Sequence, residues 1–383
     1  MVSLILTLSA TAIAYSPPEG AKFNKPTGSR AQEYRILNHI NASIRSSPPG
    51  STVRIATYSI NRNSTTEALV DAHRRGVNVQ FIVDDHDITP QIRRLRQVLG
   101  RNPDRKSFAI VCKGGCRTQT RYGSLHAKMY LFSRAGSSKW VTMVSSANPT
   151  DLQAGVAWNN IYTIVGDEKI YQAMVAAFLQ MSRDKMVRDT NRYISVRSGK
   201  ITAYVFPRSG NTQATDNVIQ TLNDIRCKGA EGSAGFKGRT VVKVTVFTWA
   251  NPRGRAIARK LWELDDSGCY VSVIMASAGL PETRAIILKP TRNDGVTVYN
   301  SKIDSNGDGI KGDHWSHNKY LMISGSYAGN PKARYVLTGS PNYTRGALRN
   351  ADEVMLGIYG RNTYRAYYKN FNDIIDSGSK LIS

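Results

Sequence analysis

The sequence predicts an α/β protein made of two tandem copies of one fold. Stretches with strand and helix periodicity alternate along the chain, and the same order of stretches occurs twice. The chain of 383 residues is long enough for two domains of roughly 180 residues, each with its own core. Its 41% apolar and 21% charged content excludes a disordered chain or a coiled coil. We expect one domain at residues 26–198 and the other at 199–383.

Each half begins with the same series of elements. A turn rich in proline and glycine is followed by a helix, a strand, a second helix and a second strand. In the first half these elements occupy residues 26–28, 31–44, 52–55, 64–75 and 76–83. In the second half they occupy residues 207–210, 214–225, 240–243, 253–264 and 268–275. The offset between equivalent positions rises only from 181 at Pro26 and Pro207 to 194 at Asn148 and Asn342, so the halves differ by short insertions.

The alternation of strands and helices predicts helices on both faces of each sheet. A loop of about 40 residues comes next in each half, and a loop of that length in a compact domain indicates a functional segment. Residues 181–198 are expected to form the end of the last helix of the first domain and the linker.

The motif His-x-Lys occurs once in each half, and its four candidates for catalysis are His126, Lys128, His317 and Lys319. A histidine and a lysine two positions apart on a strand project from the same face. Each copy can therefore direct an imidazole and an ammonium group at one point. The two copies together predict one composite active site.

A turn of small residues and asparagine follows each copy of the motif. Its candidate substrate-binding groups are Ser146, Asn148, Ser340 and Asn342. The lysines and these donors suit the anionic oxygens of a phosphodiester. One histidine can attack phosphorus to form a phosphohistidine, while the other protonates the leaving oxygen and then activates water. This chemistry needs no metal, and we expect no cofactor.

The charge of the chain is strongly positive, with 52 basic and 28 acidic residues and a net charge of +24. A basic surface attracts nucleic acid, anionic lipid headgroups and acidic polymers without distinguishing them. A solvated surface adapted for solubility is the alternative interpretation.

Residues 1–14 predict a signal peptide. Val2 to Ala14 is an apolar run of 13 residues that ends in a small-x-small pattern, and it is too short to span a bilayer. No basic residue precedes the run, which departs from the usual pattern. We expect a secreted, monomeric protein.

Four cysteines support the same compartment, because an even count fits an oxidising environment. Cys112 and Cys116 flank two glycines that allow a tight loop, and Cys227 and Cys269 remain to pair in the second half. Zinc is the competing interpretation, but no second closely spaced pair follows. Two disulfides are expected.

The long loop of the second half contains a weak calcium candidate formed by Asp304, Asn306 and Asp308. Oxygen ligands stand at alternate positions, but the twelfth position is Trp315 rather than glutamate, so the match is incomplete unless Asp313 substitutes. A surface turn explains the segment equally well.

Other polar and aromatic residues stand near strand ends. Asp84-Asp85-His86 follows a strand of the first half, where a loop role is favoured over a site. Tyr58 and Trp249 end equivalent strands, and each is expected either to line the substrate cleft or to pack in the core.

These residues resemble the phospholipase D superfamily, in which His-x-Lys-(x4)-Asp is repeated and followed by Gly-Ser-x-Asn. The resemblance covers both halves and extends to secreted phospholipase D-like proteins of actinobacteria. It implies two tandem α-β-α sandwich domains related by a pseudo-twofold axis. Ser133 and Ser324 replace the motif aspartate, as though this chain used His, Lys and Asn alone in the manner of tyrosyl-DNA phosphodiesterase.

The resemblance also implies a residue that orients the catalytic histidine, with Glu353 and Asp352 as candidates. A carboxylate beside a histidine favours the imidazolium form. If one of them contacts His317, that histidine is suited to act as general acid and His126 as nucleophile. The alternative is that the carboxylate crosses the domain interface.

The resulting hypothesis is an exported phosphodiesterase of phospholipase D type that hydrolyses a phospholipid headgroup ester through a phosphohistidine. Its partner is a phospholipid or another anionic phosphodiester, with peripheral membrane contact. A metal-independent nuclease acting on DNA or RNA is one alternative. A module that binds anionic surfaces without turnover is another, because both motif aspartates are missing.

Overall fold

The structure, a computed structural model, describes residues 15–120, 122–276, 281–306, 308 and 312–383. The expected signal peptide lies outside the described residues. The strands of the first half are β1 (Gly20–Phe23), β2 (Thr52–Thr57), β3 (Asn78–Asp84), β4 (Phe108–Cys112), β5 (Met129–Ala135), β6 (Ser138–Ser145), β7 (Ala157–Trp158) and β8 (Asn160–Ile164). Its helices are α1 (Arg30–Glu33), α2 (Arg35–Arg45), α3 (Asn63–Arg74), α4 (Pro90–Leu99), α5 (Asp151–Gly155), α6 (Glu168–Ser182) and α7 (Asp189–Arg192).

The second half repeats this series. Its strands are β9 (Ile194–Ser198), β10 (Ile201–Phe206), β11 (Ile225–Arg226), β12 (Val241–Val246), β13 (Tyr270–Met275), β14 (Thr297–Asn300), β15 (Trp315–Ser316), β16 (Lys319–Tyr327), β17 (Asn330–Gly339), β18 (Glu353–Tyr359) and β19 (Lys380–Leu381). Its helices are α8 (Asn217–Asn223), α9 (Asn251–Asp266), α10 (Pro281–Ile287), α11 (Arg345–Arg349) and α12 (Arg361–Asp376), with a short 3₁₀ helix at Gln213–Thr215.

Corresponding strands occupy the same order in the two main sheets. The first sheet runs β1-β8-β6-β5-β2-β3-β4, and the second contains β10-β18-β17-β16-β12-β13-β14 with β9 and β19 added at its edges. In both, a parallel pair (β2 with β3, β12 with β13) is joined to an antiparallel meander. The equal order confirms two tandem copies of one fold related by a pseudo-twofold axis.

Three apolar clusters hold the layers together. The central cluster lies between the sheets and contains the inner faces of α6 and α12, with residues from both halves. The outer clusters pack α2, α3 and α4 on the first sheet and α8 and α9 on the second. Helix α2 shows how the sequence directs this packing, because Ile36, Ile40 and Ile44 recur at helical spacing and are at most 2% exposed. Helices therefore cover both faces of each sheet, as predicted.

Several elements differ from the expectation. The helix predicted at residues 214–225 is divided into the 3₁₀ helix and α8, and Ile225 begins β11. Each loop of about 40 residues contains a helix and a strand, α4 and β4 in the first half and α10 and β14 in the second. The helix predicted at residues 31–44 is interrupted at Tyr34, which leaves the α-helical region and separates α1 from α2. Strand β9 lies inside the expected linker but pairs with β10 and extends the second sheet. The backbone before Ile201 is thus part of the second sheet rather than a free connection.

Two disulfides join Cys112 to Cys116 and Cys227 to Cys269, as predicted. Among the described residues, no helix combines the length and the apolar character needed to cross a bilayer.

Candidate active site

The two motifs lie at the boundary between the halves, which we call the seam. There the backbone just before each histidine pairs with a backbone segment of the opposite half. Leu125 forms a parallel bridge with Asp352, and the amide of His126 donates to the Asp352 carbonyl at 2.9 Å. In the mirror arrangement β15 lies parallel to β7, and the amide of His317 donates to the Trp158 carbonyl at 2.9 Å. Each histidine is therefore held in place by the opposite half.

The first histidine is oriented by a carboxylate. His126 Nδ1 lies 2.8 Å from Oε1 of Glu353, which is 1% exposed, and the Ser340 hydroxyl donates to the other carboxylate oxygen. Burial would raise the pKa of Glu353, but His126, Lys128 and the Ser340 hydrogen bond bring that pKa below its usual value. An ionised Glu353 accepts the Nδ1 proton of His126 and leaves Nε2 with its lone pair.

The second histidine is oriented by an amide in the equivalent position. His317 Nδ1 lies 3.0 Å from Oδ1 of Asn159, and Ser146 donates to the same oxygen at 2.9 Å. The Asn159 amino group donates to the carbonyls of Gln153 and Ala157 at 2.9 and 3.0 Å. These two bonds fix the amide so that its oxygen faces His317. Each histidine thus has an orienting hydrogen-bond partner at Nδ1, but of the two partners only Glu353, on His126, is charged.

Both lysines are buried beside their histidines. Lys128 Nζ donates to the His126 carbonyl at 2.5 Å, and Lys319 Nζ lies 2.9 Å from Nε2 of His317. Burial lowers the pKa of Lys128 to about 7, against the opposing charges of Glu353 and Asp84. Burial and the charge of Lys128 hold the pKa of Lys319 well below its usual value. The two ammonium groups converge, and an anion bound between them would favour their charged forms.

Burial also lowers the pKa of His126 to about 4, and the charges of Lys128 and Lys319 act in the same direction. The pKa of His317 is lowered well below its usual value by burial and by the charges of Lys319, Lys128 and His126. The four groups of the two motifs therefore influence one another across the seam, as a composite site requires. Binding an anionic phosphodiester would reverse much of this effect and draw protons into the site.

Aromatic rings flank both motifs. The Tyr58 ring lies 5.2 Å from the His126 ring, and the Phe247 ring lies 4.7 Å from the His317 ring. Trp249 is 2% exposed and packs in the core, which is one of the two roles expected for it. Of the pair Tyr58 and Trp249, Tyr58 is the one that lies beside the site.

His86, for which a loop role was favoured, lies beside the site. Its ring stacks on Tyr58 with centroids 3.6 Å apart, and its Nδ1 lies 3.0 Å from Oδ1 of Asp84. The other Asp84 oxygen accepts from the amide of Leu125 at 2.6 Å. This cluster supports both the backbone and the aromatic wall next to His126.

The carboxylates expected to orient His317 do not reach it. Glu353 contacts His126 instead, and Asp352 forms a fully buried ion pair with Arg117 at 2.6 Å. The cause is the exchange of segments across the seam, which carries residues 352 and 353 to the first motif. Asn159, the residue that does reach His317, precedes Glu353 by 194 positions, the same offset that relates Asn148 to Asn342.

The serines expected to bind substrate serve the orienting residues instead. Ser146 and Ser340 are fully buried and donate to Asn159 and Glu353. Asn148 accepts from the Thr57 hydroxyl, and Asn342 accepts from the Thr248 amide, both at 3.3 Å. Each carboxamide is held by its oxygen, which suits its nitrogen to donate to a phosphate oxygen.

Ser133 and Ser324, which replace the motif aspartate, lie far from the histidines. Each stands five positions beyond its lysine along a strand, roughly 17 Å away. Ser133 accepts from the Thr52 amide and Ser324 from the Gly235 amide, both at 2.8 Å. The two replacements therefore remove no group from the neighbourhood of the two histidines.

The described part of the calcium candidate is a hydrogen-bonded turn. Asp308 accepts from the Asn306 amino group at 3.0 Å, and Asp313 accepts from the Ser305 amide at 2.9 Å. Within the described ranges, no cluster of three or more His, Cys, Asp or Glu side chains is placed to hold a metal ion.

Comparison with known proteins supports the duplicated architecture. The family model described as cardiolipin synthase, PLD-like domain, matches residues 40–182 and 237–375. Phosphatidylserine synthase from Haemophilus influenzae Rd KW20 is similar with a TM-score of 0.61 and 14% identity, over 94% of this chain and 87% of that one. Yeast tyrosyl-DNA phosphodiesterase is similar with a TM-score of 0.50 and 10% identity, over 89% and 90% of the two chains.

Polyphosphate kinase from Porphyromonas gingivalis is similar with a TM-score of 0.56 and 13% identity; the match covers 94% of this chain but half of the kinase. A search of curated protein sequences gives no match. The structural likenesses, all below 25% identity, concern the fold. Because the family model matches most of the chain, in one segment of each half, the protein belongs to the phospholipase D superfamily.

Proposed function

We propose that the protein is an exported phosphodiesterase that hydrolyses a phospholipid headgroup ester through a phosphohistidine on His126. The observation that carries the assignment is the carboxylate of Glu353 on Nδ1 of His126, at 2.8 Å. Attack on phosphorus by Nε2 converts this imidazole into a phosphoimidazolium cation. Glu353 stabilises that cation, whereas the neutral Asn159 offers His317 no such charge. This reason replaces the one drawn from the sequence, in which a carboxylate on His317 made that histidine the general acid, because the carboxylate lies on His126. When the anionic substrate binds, His317 takes up the proton that it donates.

In the first step the Nε2 lone pair of His126 forms the nitrogen–phosphorus bond as the bond from phosphorus to the headgroup oxygen breaks. His317 transfers its proton to the leaving oxygen, and the two lysines stabilise the charge on the non-bridging oxygens. In the second step neutral His317 takes a proton from water. The hydroxide attacks phosphorus, the nitrogen–phosphorus bond breaks, and the phosphomonoester leaves.

Exposed residues beside the first motif support a lipid substrate. Tyr122, in the loop that leads into His126, is 68% exposed, and so is Met186 in a segment that bonds to the same loop. The exposed basic residues Lys113, Lys185 and Arg188 lie in these two segments. Apolar side chains between cations suit an anionic membrane surface. The two disulfides agree with export.

A metal-independent nuclease is the second candidate, and one observation favours it. The stacked rings of Tyr58 and His86 form a flat surface next to His126 on which a nucleobase could lie.

The test uses bis(p-nitrophenyl) phosphate in excess EDTA. Nitrophenolate leaves without protonation, so His317→Ala should release one equivalent in a burst and then stall, with a p-nitrophenylphosphoryl group found on His126 by mass spectrometry. His126→Ala should give no burst, and His73→Ala, a change outside the site, should behave as wild type. An adduct on His317, or none in any variant, would overturn the assignment. Choline release from phosphatidylcholine, set against plasmid nicking at several salt concentrations, then separates lipid from nucleic acid.

A further inference from the structure

The second sheet has the active site at one end of its strands, and a cavity of about 470 Å³ opens at the other end. It is lined where β12 and β13 begin, at Val241 and Tyr270. The catalytic Lys319 pairs with Val246 at the other end of β12, roughly 17 Å away. We call this cavity the basic pocket, because its walls include the cations Lys243, Arg334, Arg361 and Arg365.

The positive charge of the basic pocket is not balanced locally. No acidic side chain is among the described residues that line it. The Lys243 ammonium lies 4.7 Å from the Phe371 ring and 5.5 Å from the Tyr368 ring, and no carboxylate in the described parts of the chain pairs with it. At the equivalent position of the first half, Arg54 instead donates to the Tyr171 hydroxyl at 3.3 Å. Such a group of cations favours an anionic ligand.

Aromatic rings stand between these cations. Phe236 is 55% exposed and Tyr368 is 42% exposed, although large rings are usually more buried. The Phe236 ring packs edge-on against Tyr270 with centroids 5.4 Å apart, so its position is supported from below. Rings exposed beside cations provide stacking surfaces as well as charge.

The basic pocket continues into a second cavity of about 290 Å³. The two cavities share Ser233, Arg334 and Arg361. The second adds Lys200 and Lys332, and its Glu231 is paired with Lys332 at 3.6 Å. The cations therefore follow a track longer than one phosphate, which indicates a ligand with several phosphates in a row.

We propose that the basic pocket and its extension bind a single strand of nucleic acid, with phosphates on Arg334, Arg361 and Arg365 and bases on Phe236 and Tyr368. Unpaired bases are needed because the stacking faces lie in the walls of a cavity. This site is separate from the catalytic centre, so it does not depend on which phosphodiester is cleaved.

Ser324 links this site to the altered motif. It lines the basic pocket at the position where the superfamily motif has aspartate. A carboxylate there would place a negative charge among the cations and weaken an anionic ligand. The serine hydroxyl still accepts from the Gly235 amide, so the local backbone is supported without that charge.

The test measures fluorescence anisotropy of a labelled 12-nucleotide oligo(dT), bound to the full chain carrying His126→Ala so that no strand is cut. Arg361→Ala with Arg365→Ala should weaken binding by roughly tenfold or more. The matched control Arg105→Ala with Lys106→Ala removes the same charge from an exposed loop of the first half and should change binding by less than threefold. Phe236→Ala with Tyr368→Ala should weaken binding roughly tenfold, and Leu179→Ala, at another exposed apolar residue, should not.

A second pair of variants uses the duplicated motif. Ser324→Asp should weaken oligonucleotide binding about tenfold, whereas Ser133→Asp, the same change at the equivalent position of the first half, should leave it unchanged. Polyphosphate of equal charge should bind more weakly than oligo(dT) and should not respond to the loss of the two rings. Equal binding of polyphosphate, or of anionic lipid vesicles, without dependence on the rings would overturn the proposal. So would unchanged binding in the Arg361 and Arg365 variant. The same pocket variants are also made in the chain that retains His126. Their turnover of bis(p-nitrophenyl) phosphate reports on catalysis separately from oligonucleotide binding.

Discussion

The two halves of the protein share a strand order and the His-x-Lys motif but differ in the residues that contact the histidines and in the charges on their sheets. The first half supplies Asn159 to the opposite histidine, and the second half supplies Glu353. The first half gives its half-buried Arg54 a hydrogen bond to a tyrosine hydroxyl, and the second leaves Lys243 against rings at the edge of a cavity. Topology is thus retained by the apolar core, while the charged positions have become different in the two copies.

Under the proposed function, this difference gives separate tasks to the two copies of the motif. Both copies retain the histidine and the lysine that we propose bind and transfer the phosphoryl group. The partner of each histidine differs, and that partner decides whether a positive charge on the ring is stabilised. The asymmetry of the site therefore lies in the residues that orient the histidines.

The largest effect is expected from a substitution that breaks the ion pair between Arg117 and Asp352 across the seam. Arg117→Ala leaves Asp352 buried without its partner, and we expect about 3–5 kcal/mol of lost stability in chemical denaturation. Activity should fall as well, because the Asp352 carbonyl holds the His126 amide. The control Arg253→Ala breaks the buried pair with Asp216 inside the second half, at 2.7 Å, and should cost stability without that direct effect on His126. Equal activity losses in the two variants would contradict a special role for the seam.

A second variant, Glu353→Gln, removes the difference in charge between the residues that orient the two histidines. Glu353→Gln keeps a hydrogen-bond acceptor for His126 but loses the charge, and we expect kcat to fall roughly 10²-fold. Glu282→Gln, the same change at a carboxylate that pairs with Arg255 on the surface, should leave kcat unchanged. The measurement is steady-state turnover of bis(p-nitrophenyl) phosphate, and a loss smaller than threefold in Glu353→Gln would show that charge at this position is unimportant.

The smallest expected effect is the difference in stability between variants that lack one or the other disulfide. Cys112 and Cys116 are 4 positions apart, whereas Cys227 and Cys269 are 42 apart. Loop-closure entropy gives about 2 kcal/mol for the short loop and about 4 kcal/mol for the long one. Replacing each pair with serine should therefore destabilise the second half more, by about 2 kcal/mol, in urea denaturation. The reverse order would show that the loops differ mainly in native contacts.

The fold was predictable because its signals are local. The apolar strands, the amphipathic helices and the duplicated motif each occupy short stretches whose spacing repeats. The strands that Tyr58 and Trp249 follow are equivalent, as expected, but β2 begins at Thr52 and β12 at Val241, and this offset of 189 pairs Tyr58 with Phe247 rather than with Trp249. A register shift of two residues on a strand keeps the face but moves the side chain along it.

The pairing across the seam was not predictable in the same way. His126 and Glu353 are 227 positions apart, and nothing in either segment states which of the two histidines the carboxylate reaches. That choice depends on how two folded halves dock. The track of cations in the basic pocket was hidden for a similar reason, since Lys243, Arg334 and Arg361 come from three separate elements.

The exchange of segments between the halves has an evolutionary consequence. Had an ancestor carried a single copy, two of its chains would have been needed to complete one site, and the symmetry of that homodimer would have forced both histidines to have the same partner. Gene fusion removes this requirement. In the fused chain one copy can keep a carboxylate while the other changes to an amide, so covalent linkage itself permits a division of labour that no symmetric dimer can encode.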